Sequence, residues 1–384
     1  MAVSNPLTSL VDLADPRIVS RLVIKVGSSL LVARGAVRRQ WLAGLVAEIA
    51  QARARGQEVI IVSSGAIALG ASRLGLEKGG RGSLADAQAA AAVGQILLSG
   101  LWSDLLAEHG ATAAQLLLTL DDLEDRRRYL NATATLMRLL DAGAVPVVNE
   151  NDSVATQEIR FGDNDRLAAR VAQAAKADAV LLLSDVDGLY DRNPREPGAT
   201  LVPLVSGVSA DVQAMASADS GSGMGSGGMT SKLQAAQIAE LAGIALVIAN
   251  GTHDRPIARA TGHAGGEAIG TLFQPGRKAG ARKAWLGGRL RLRGALIVDA
   301  GAAEALRGGS SLLAAGIAEI EGEFGRGDPV AIRDCEGRVI AHGLAEYDAA
   351  ECAALRGKQS SEHAAILGYA PRRAVVHRDQ LVLK

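Results

Sequence analysis

The sequence predicts an α/β protein: a three-layer αβα sandwich built on a mostly parallel sheet, followed by a small C-terminal β-rich domain. Three observations carry that expectation. Strand-like and helix-like segments alternate through residues 20–250, which is the pattern of parallel strands joined by helical crossovers. The strand-like runs are aliphatic on both parities, as strands covered on both faces must be. After Gly276 the texture changes to short strand-like runs separated by glycine-bearing turns.

Taken in order, residues 1–20 form an extension that carries Asp12 and Asp15 and no basic region, so it does not read as a signal peptide. The first strand, Leu22–Val26, contains Lys25. Burying an unpaired ammonium there is costly, so Lys25 calls for an anionic partner unless it snorkels at an edge. Gly27-Ser28-Ser29 then lets the backbone turn closely around a ligand. A helix is expected near 38–55. The strand Glu58–Val62 breaks at Ser63-Ser64-Gly65 and runs into a small-residue helix, whose exposed N–H groups could meet an anion or simply be capped by Ser and Gly. The next helix, near 85–109, has no charge between Ala87 and Ser103. It is interrupted by Gln88, Gly94, Gln95 and Ser99 and is slightly short for a membrane span, so it reads as a buried helix. A further helix is expected near 128–142.

The segment Val145–Asp165 is the most informative in the chain. An apolar strand ends in Asn149, Glu150, Asn151 and Asp152, and a second cluster of Asp163, Asn164 and Asp165 opens an Ala-rich helix near 163–176. Open α/β sheets bind ligands beyond the carboxyl ends of their strands. Acids and amides crowded there suit a small polar molecule, although a solvated loop with an Asp helix cap fits the same residues. The strand Val180–Leu183 runs into Ser184-Asp185-Val186-Asp187-Gly188, a polar turn or a ligand contact. Five glycines in eight residues, Gly221–Gly228, precede Met229-Thr230-Ser231-Lys232 and a helix near 230–242. Such a loop lets backbone N–H groups approach phosphate oxygens. Thr230 or Ser231 is expected to cap the helix, with Lys232 in its first turn. This is not a Walker A motif, which requires Gly-Lys followed by Ser or Thr.

Residues 277–293 hold seven basic residues and no acid, and read as an interdomain linker. Beyond it, Ala295–Val298, Val330–Arg333 and Ala374–His377 are the strand-like runs. The domains expected are therefore the extension 1–20, a main domain 21–276, the linker 277–293 and a second domain 294–384. The chain of 384 residues balances 41 basic against 41 acidic residues, so no global field favours nucleic acid or a membrane. Cys335 and Cys352 lack metal-ligand spacing and suit a reducing compartment, with one disulfide left open.

These motifs carry a resemblance. V-I-K-V-G-S-S (Val23–Ser29), V-S-S-G-A-I-A-L-G (Val62–Gly70), A-A-V-G-Q ending at Gln95, V-N-E-N-D-S-V-A-T (Val148–Thr156), G-D-N-D (Gly162–Asp165) and G-M-G-S-G-G-M-T-S-K (Gly223–Lys232) resemble the amino acid kinase family. Within it they are most similar to the branch acting on the side-chain carboxylate of glutamate, at the head of proline biosynthesis. Arg307–Ile317, Glu336–Leu344 and Ala365–Tyr369 resemble that branch's appended PUA domain, a fold also found in RNA-modifying enzymes. Two departures are the N-terminal extension and Ser184, where the family more often has Thr.

The resemblance implies ATP and Mg²⁺ as co-substrate and cofactor and L-glutamate as acceptor. Lys25 and Lys232 would neutralise the transferring phosphoryl group, with Asp165 orienting both. Asp152 would meet the α-ammonium of glutamate, and Asn164 with the Ser64–Gly65 turn would donate to its α-carboxylate. ATP would lie along Lys25, Ser184, Asp185, Ser226, Gly227, Gly228, Met229, Thr230, Ser231 and Lys232. A cytoplasmic homo-oligomer (dimer or tetramer), proline feedback and a functional link to glutamyl-phosphate reductase are further family expectations. Aspartate, carbamate and uridylate kinases are rival readings. A nucleotide acceptor would want arginines near residues 145–157, and none is there. RNA binding through the second domain is the rival from another class. Residues 281–384 carry fifteen basic against thirteen acidic residues, a weak field for phosphate contacts.

Overall fold

A computed structural model of the chain describes residues 7–33, 36–154, 163–217, 228–275, 292–369 and 373–383. It divides into two compact units, one of residues 1–123 and 129–278 and the other of residues 124–128 and 279–384.

The first unit is built on an eight-stranded sheet. Its strands are β1 (Arg21–Val26), β2 (Glu58–Ser63), β3 (Ala113–Leu118), β4 (Val145–Glu150), β5 (Ala179–Ser184), β6 (Leu204–Ser206), β7 (Ala245–Asn250) and β8 (Thr271–Gln274). They lie in the order β3-β4-β2-β1-β5-β7-β8-β6, and every pairing is parallel except β7 with β8. The mostly parallel sheet is therefore as expected. Its helices include α1 (Arg39–Ala54), α2 (Ala66–Leu74), α3 (Leu84–Ala107), α4 (Arg126–Asp141), α5 (Asp163–Ala175), α6 (Met229–Ala242) and α7 (Pro256–Ala260).

Strand alternation divides the side chains between two layers. Leu22, Ile24 and Val26 face a core shared with Leu42 and Ile49 of α1 and Leu98 and Trp102 of α3. Val23 and Lys25 face the opposite layer, where Lys25 meets Asp165 of α5. The parity of β1 thus decides which helix layer holds a lysine.

The N-terminal segment is part of this unit from Leu7 onward. Leu7, Leu10, Leu13 and Val19 are buried in the main core, and the buried Gln57 amide donates to the carbonyls of Leu13 (2.9 Å) and Val19 (2.8 Å). Buried Glu48 joins α1 to α7 by accepting from the N–H groups of Ile257 (3.1 Å) and Ala258 (2.7 Å) at the start of α7.

Helix α3 departs from expectation. At 24 residues and with low charge it is long enough to cross a membrane. It is also not wholly buried, since Ala90, Gly94, Leu98 and Trp102 are covered while Ile96 is 76% exposed. The buried residues recur every four positions and mark one face. That face meets α2 backbone to backbone: a Cβ at Gly94 would lie 1.8 Å from the Ala66 carbonyl oxygen, and one at Gly70 1.8 Å from that of Ala90.

The second unit has a five-stranded sheet of β9 (Gly294–Val298), β10 (Ile317–Gly322), β11 (Pro329–Arg333), β12 (Val339–Leu344) and β13 (Leu381–Leu383), in the order β10-β9-β11-β12-β13. The expected strand at Ala374–His377 is not one. Ala374, Val375 and Val376 are all buried, and Val375 bonds Leu312 on one side and Glu346 on the other. The segment makes only an isolated bridge, between Leu312 and Val376, and does not continue into a ladder; the last strand is β13 instead. Cys335 and Cys352 are both free thiols. The expected linker lies almost wholly outside the described residues.

The α2–α3 contact yields opposite outcomes for two Gly→Ala changes on α3. Gly94→Ala should destabilise the protein by about 1–3 kcal/mol through overpacking. Gly100→Ala, where a Cβ meets nothing within 4 Å, should stabilise it by about 0.5–1 kcal/mol through helix propensity. Urea unfolding midpoints of the two variants check the pair.

Candidate active site

The carboxyl ends of β1, β2, β4 and β5 converge, and the chain leaves each through a polar turn. Ser64 N–H donates to the Val26 carbonyl at 3.0 Å and Gly251 N–H to the Ser184 carbonyl at 2.7 Å, which ties neighbouring turns together. Gly65 has φ +116, so a residue with a Cβ would be strained where β2 turns into α2. A Cβ at Gly27 would lie 3.7 Å from Lys25 Nζ, so glycine there leaves open the space beside the ammonium.

Three charged groups from three elements meet at this end. Asp165, the third residue of α5, is fully buried and accepts from Lys25 Nζ at 2.6 Å and from Lys232 Nζ at 3.2 Å. Lys25 is 7% exposed and Lys232 6%. Ser231 Oγ donates to the same carboxylate at 3.0 Å. Two ammonium groups sharing one carboxylate leave one net positive charge in a nearly dry place, which favours an anion as ligand. Burial pulls the Lys25 pKa down, and the Lys232 ammonium adds to this, while Asp165 and the more distant Asp185 oppose it; the net shift is downward. For Asp165 burial pushes upward, but the two lysines outweigh it and hold the carboxyl below its ordinary range. The stability that Asp165 contributes is therefore complete above the ordinary carboxylate range and is lost as pH falls through its lowered value.

A second cluster consists of amides. Asn164 Nδ2 donates to Ser64 Oγ at 2.7 Å and to Asn149 Oδ1 at 3.1 Å, and Asn149 Nδ2 donates to Gln95 Oε1 at 2.9 Å. Beside it lies a cavity of about 260 Å³ whose lining includes Ala66, Gln95, Gln115, Glu150 and Asp152. It has room for a small polar ligand and not for a nucleotide. Burial pulls the Arg81 pKa down and the Asp152 carboxylate opposes the shift, so these two face each other electrostatically.

The structure brings together Lys25, Lys232 and Asp165, and separately Ser64 and Asn164. Asp152 lines the cavity, whose lining does not include Ser64 or Asn164. Ser184 Oγ donates to Asp185 at 3.1 Å. Ser226 and Gly227 lie outside the described residues. Thr230 and Ser231 do not cap α6, because the cap residue is Gly228 in an extended conformation. The single hydrogen of the Ser231 hydroxyl is instead shared between two acceptors, Asp165 and the Gly228 carbonyl, each at 3.0 Å. Thr230 is exposed, and Met229 is buried. Both amide hydrogens of Asn164, the expected donor, are engaged within the protein. Sequence reasoning placed Asn149 in the polar cluster and Gln95 and Ser63 in motifs but gave none of them a role of its own; Ser63 accepts from Trp102 Nε1 at 2.9 Å. Glutamine inside an otherwise apolar helix was the available signal for Gln95.

Comparison with known proteins adds the following. Residues 20–250 match the model of the amino acid kinase family, and residues 294–367 that of the PUA domain. The chain is 66% identical to a glutamate 5-kinase of Novosphingobium aromaticivorans over 98% of its own length and 99% of the relative's. It is 59% identical to a glutamate 5-kinase of Sphingopyxis alaskensis, over 97% of this chain and the full length of that one. A glutamate 5-kinase of Zymomonas mobilis is 55% identical, covering 94% and 91%.

Asp165→Asn should lower the pH at which Lys25 loses its proton, because it removes the charge that offsets burial. A titration followed by NMR of ¹⁵N-labelled lysine side chains reads this; an unmoved midpoint would mean that the carboxylate does not hold the proton.

Proposed function

The chain belongs to the amino acid kinase family, and from that premise we propose that it transfers the γ-phosphoryl group of ATP to the side-chain carboxylate of L-glutamate. The products are L-glutamyl 5-phosphate and ADP, and the reaction is the first step of proline biosynthesis. The observation that carries the reading is the buried Lys25–Asp165–Lys232 triad at the carboxyl ends of β1 and β5. The relatives named glutamate 5-kinase, which match nearly the whole chain, support the choice of acceptor.

The γ-carboxylate of glutamate is ionised at neutral pH, so the nucleophile needs no general base. None of the six histidines lies in the motif segments of the main domain. The obstacle is repulsion between an anionic acceptor and an anionic phosphoryl group, which positioning and charge neutralisation overcome. Lys25 holds the β/γ-phosphate side and Lys232 the oxygens of the group in transfer. Asp165 fixes both ammonium groups, and its charge opposes the burial that pulls the Lys25 pKa down. Ser184, Asp185 and the backbone from Gly228 onward flank the nucleotide. Among the described residues no group of three or more His, Cys, Asp or Glu side chains is placed to hold a metal. Mg²⁺ would therefore arrive with ATP, held by phosphate oxygens and water, and supply further neutralisation there. Asp152 provides the counter-charge for the α-ammonium from the wall of the small cavity. The chemistry resides in residues 21–276, with 294–384 as an accessory domain. A cytoplasmic homo-oligomer, inhibited by proline and supplying an acyl phosphate to a reductase, completes the reading.

ADP release with glutamate, aspartate and acetylglutamate as competing acceptors tests the assignment. Glutamate should be preferred; a preference for either rival would overturn it. Lys232→Met should lower kcat by roughly 10²-fold or more with little change in the KM for ATP, by analogy with loss of one preorganised charge-stabilising donor. Near-normal kcat would remove Lys232 from the transition state. Asp152→Ala should raise the KM for glutamate and leave that for ATP unchanged, and steady-state kinetics with each substrate varied in turn would expose equal effects on both.

A further inference from the structure

The amides running from α3 to α5 have a fixed polarity. The Ser99 hydroxyl has one hydrogen and two acceptors within reach, the Gln95 carbonyl oxygen at 2.7 Å and Gln115 Oε1, so none is left for the Gln95 side chain. It can then only accept from Gln95 Nε2, at 3.4 Å. That turns Gln95 Oε1 toward Asn149, whose Nδ2 donates to it at 2.9 Å. Asn149 is left to offer Oδ1 to Asn164, whose two amide hydrogens go there and to Ser64. The outcome is an Asn164 Oδ1 that is buried and has no partner in the protein.

A buried acceptor with no donor is costly, and such an atom at a site calls for a ligand hydrogen. Of the three charged groups on glutamate only the α-ammonium carries hydrogens. We infer that Gln95 is a positioning residue for the acceptor substrate: acting through Asn149, it holds the Asn164 amide so that Oδ1 accepts from the substrate's α-ammonium. This rests on the glutamate reading above and deepens it. It also replaces the donor role toward the α-carboxylate that the sequence led one to expect of Asn164. Reversing the Gln95 amide would reverse Asn149 and Asn164 in turn and set an NH₂ group against the ammonium. Asp152 supplies charge to that ammonium, and Asn164 supplies direction.

The test compares glutamate with glutarate, the same dicarboxylate without the ammonium, in the full-length protein. Gln95→Met removes the acceptor oxygen at nearly the same side-chain length, and Asn149→Ala breaks the next link of the same chain. In each variant the KM for glutamate should rise roughly tenfold or more, the scale of one hydrogen bond to a charged group. The inhibition constant of glutarate against glutamate and the KM for ATP should stay where they are. A parallel rise for glutarate would overturn the inference, since it would mean general damage to the cavity. Unchanged glutamate affinity in both variants would overturn it too, by showing that water satisfies Oδ1. A wild-type protein that does not turn over glutamate at all would instead refute the parent reading.

Discussion

One carboxylate shared by two ammonium groups organises this molecule. Asp165 sits at zero exposure between Lys25 and Lys232, and each charge comes from a different element. Lys25 requires β1 to keep its parity, because a slip of one residue would send the lysine into the Leu42–Trp102 core. Lys232 requires α6 to begin where it does, so that the lysine reaches the carboxylate from the first turn. Removing Asp165 would strand two buried ammonium groups, which costs far more than the intact triad contributes, whereas removing one lysine would leave a balanced pair. The nucleotide end of the sheet is thus held by electrostatic necessity as much as by packing.

The acceptor end is held differently. No net charge fixes Gln95, Asn149 and Asn164; hydrogen-bond direction does. Each amide has one donor side and one acceptor side, and a choice made at Ser99 propagates through three residues. Such a chain is cheap to satisfy and specific in what it leaves unsatisfied. Placing a charge-based device and a direction-based device next to each other suits a reaction in which one partner is a polyanion and the other carries both signs.

Much of this was legible in the sequence. The parallel sheet followed from aliphatic runs on both parities, and Lys25 betrayed itself by lying inside one. The pairing of Asp165 with both lysines came only from the resemblance, because their separations of 140 and 67 residues carry no geometric signal. The capping of α6 was misread because a serine next to a helix start looks like a cap from sequence alone; only the buried Asp165 shows where its hydroxyl is needed. The members of the amide chain could be picked out one by one, but their connection could not, because Asn and Gln announce neither charge nor period. The burial of Leu7, Leu10 and Leu13 was hidden for a similar reason, since a short apolar segment before the first strand shows no periodicity that would place it in a core.

The backbone contact between Gly70 and Gly94 bears on how recognition is inherited. Gln95 follows Gly94 directly, so its height above the sheet is set where two main chains touch. Side chains can trade volume with their neighbours, but two peptide backbones in contact have nothing left to trade. The reading head for the amino acid is therefore mounted on a rigid stop, and Trp102 bonded to Ser63 clamps the same helix two turns further on. A change at Gly70, remote in sequence from every group that would meet the substrate, would shift Gln95 along the helix axis. Its first symptom would be blurred discrimination between acceptors, ahead of any loss of the fold.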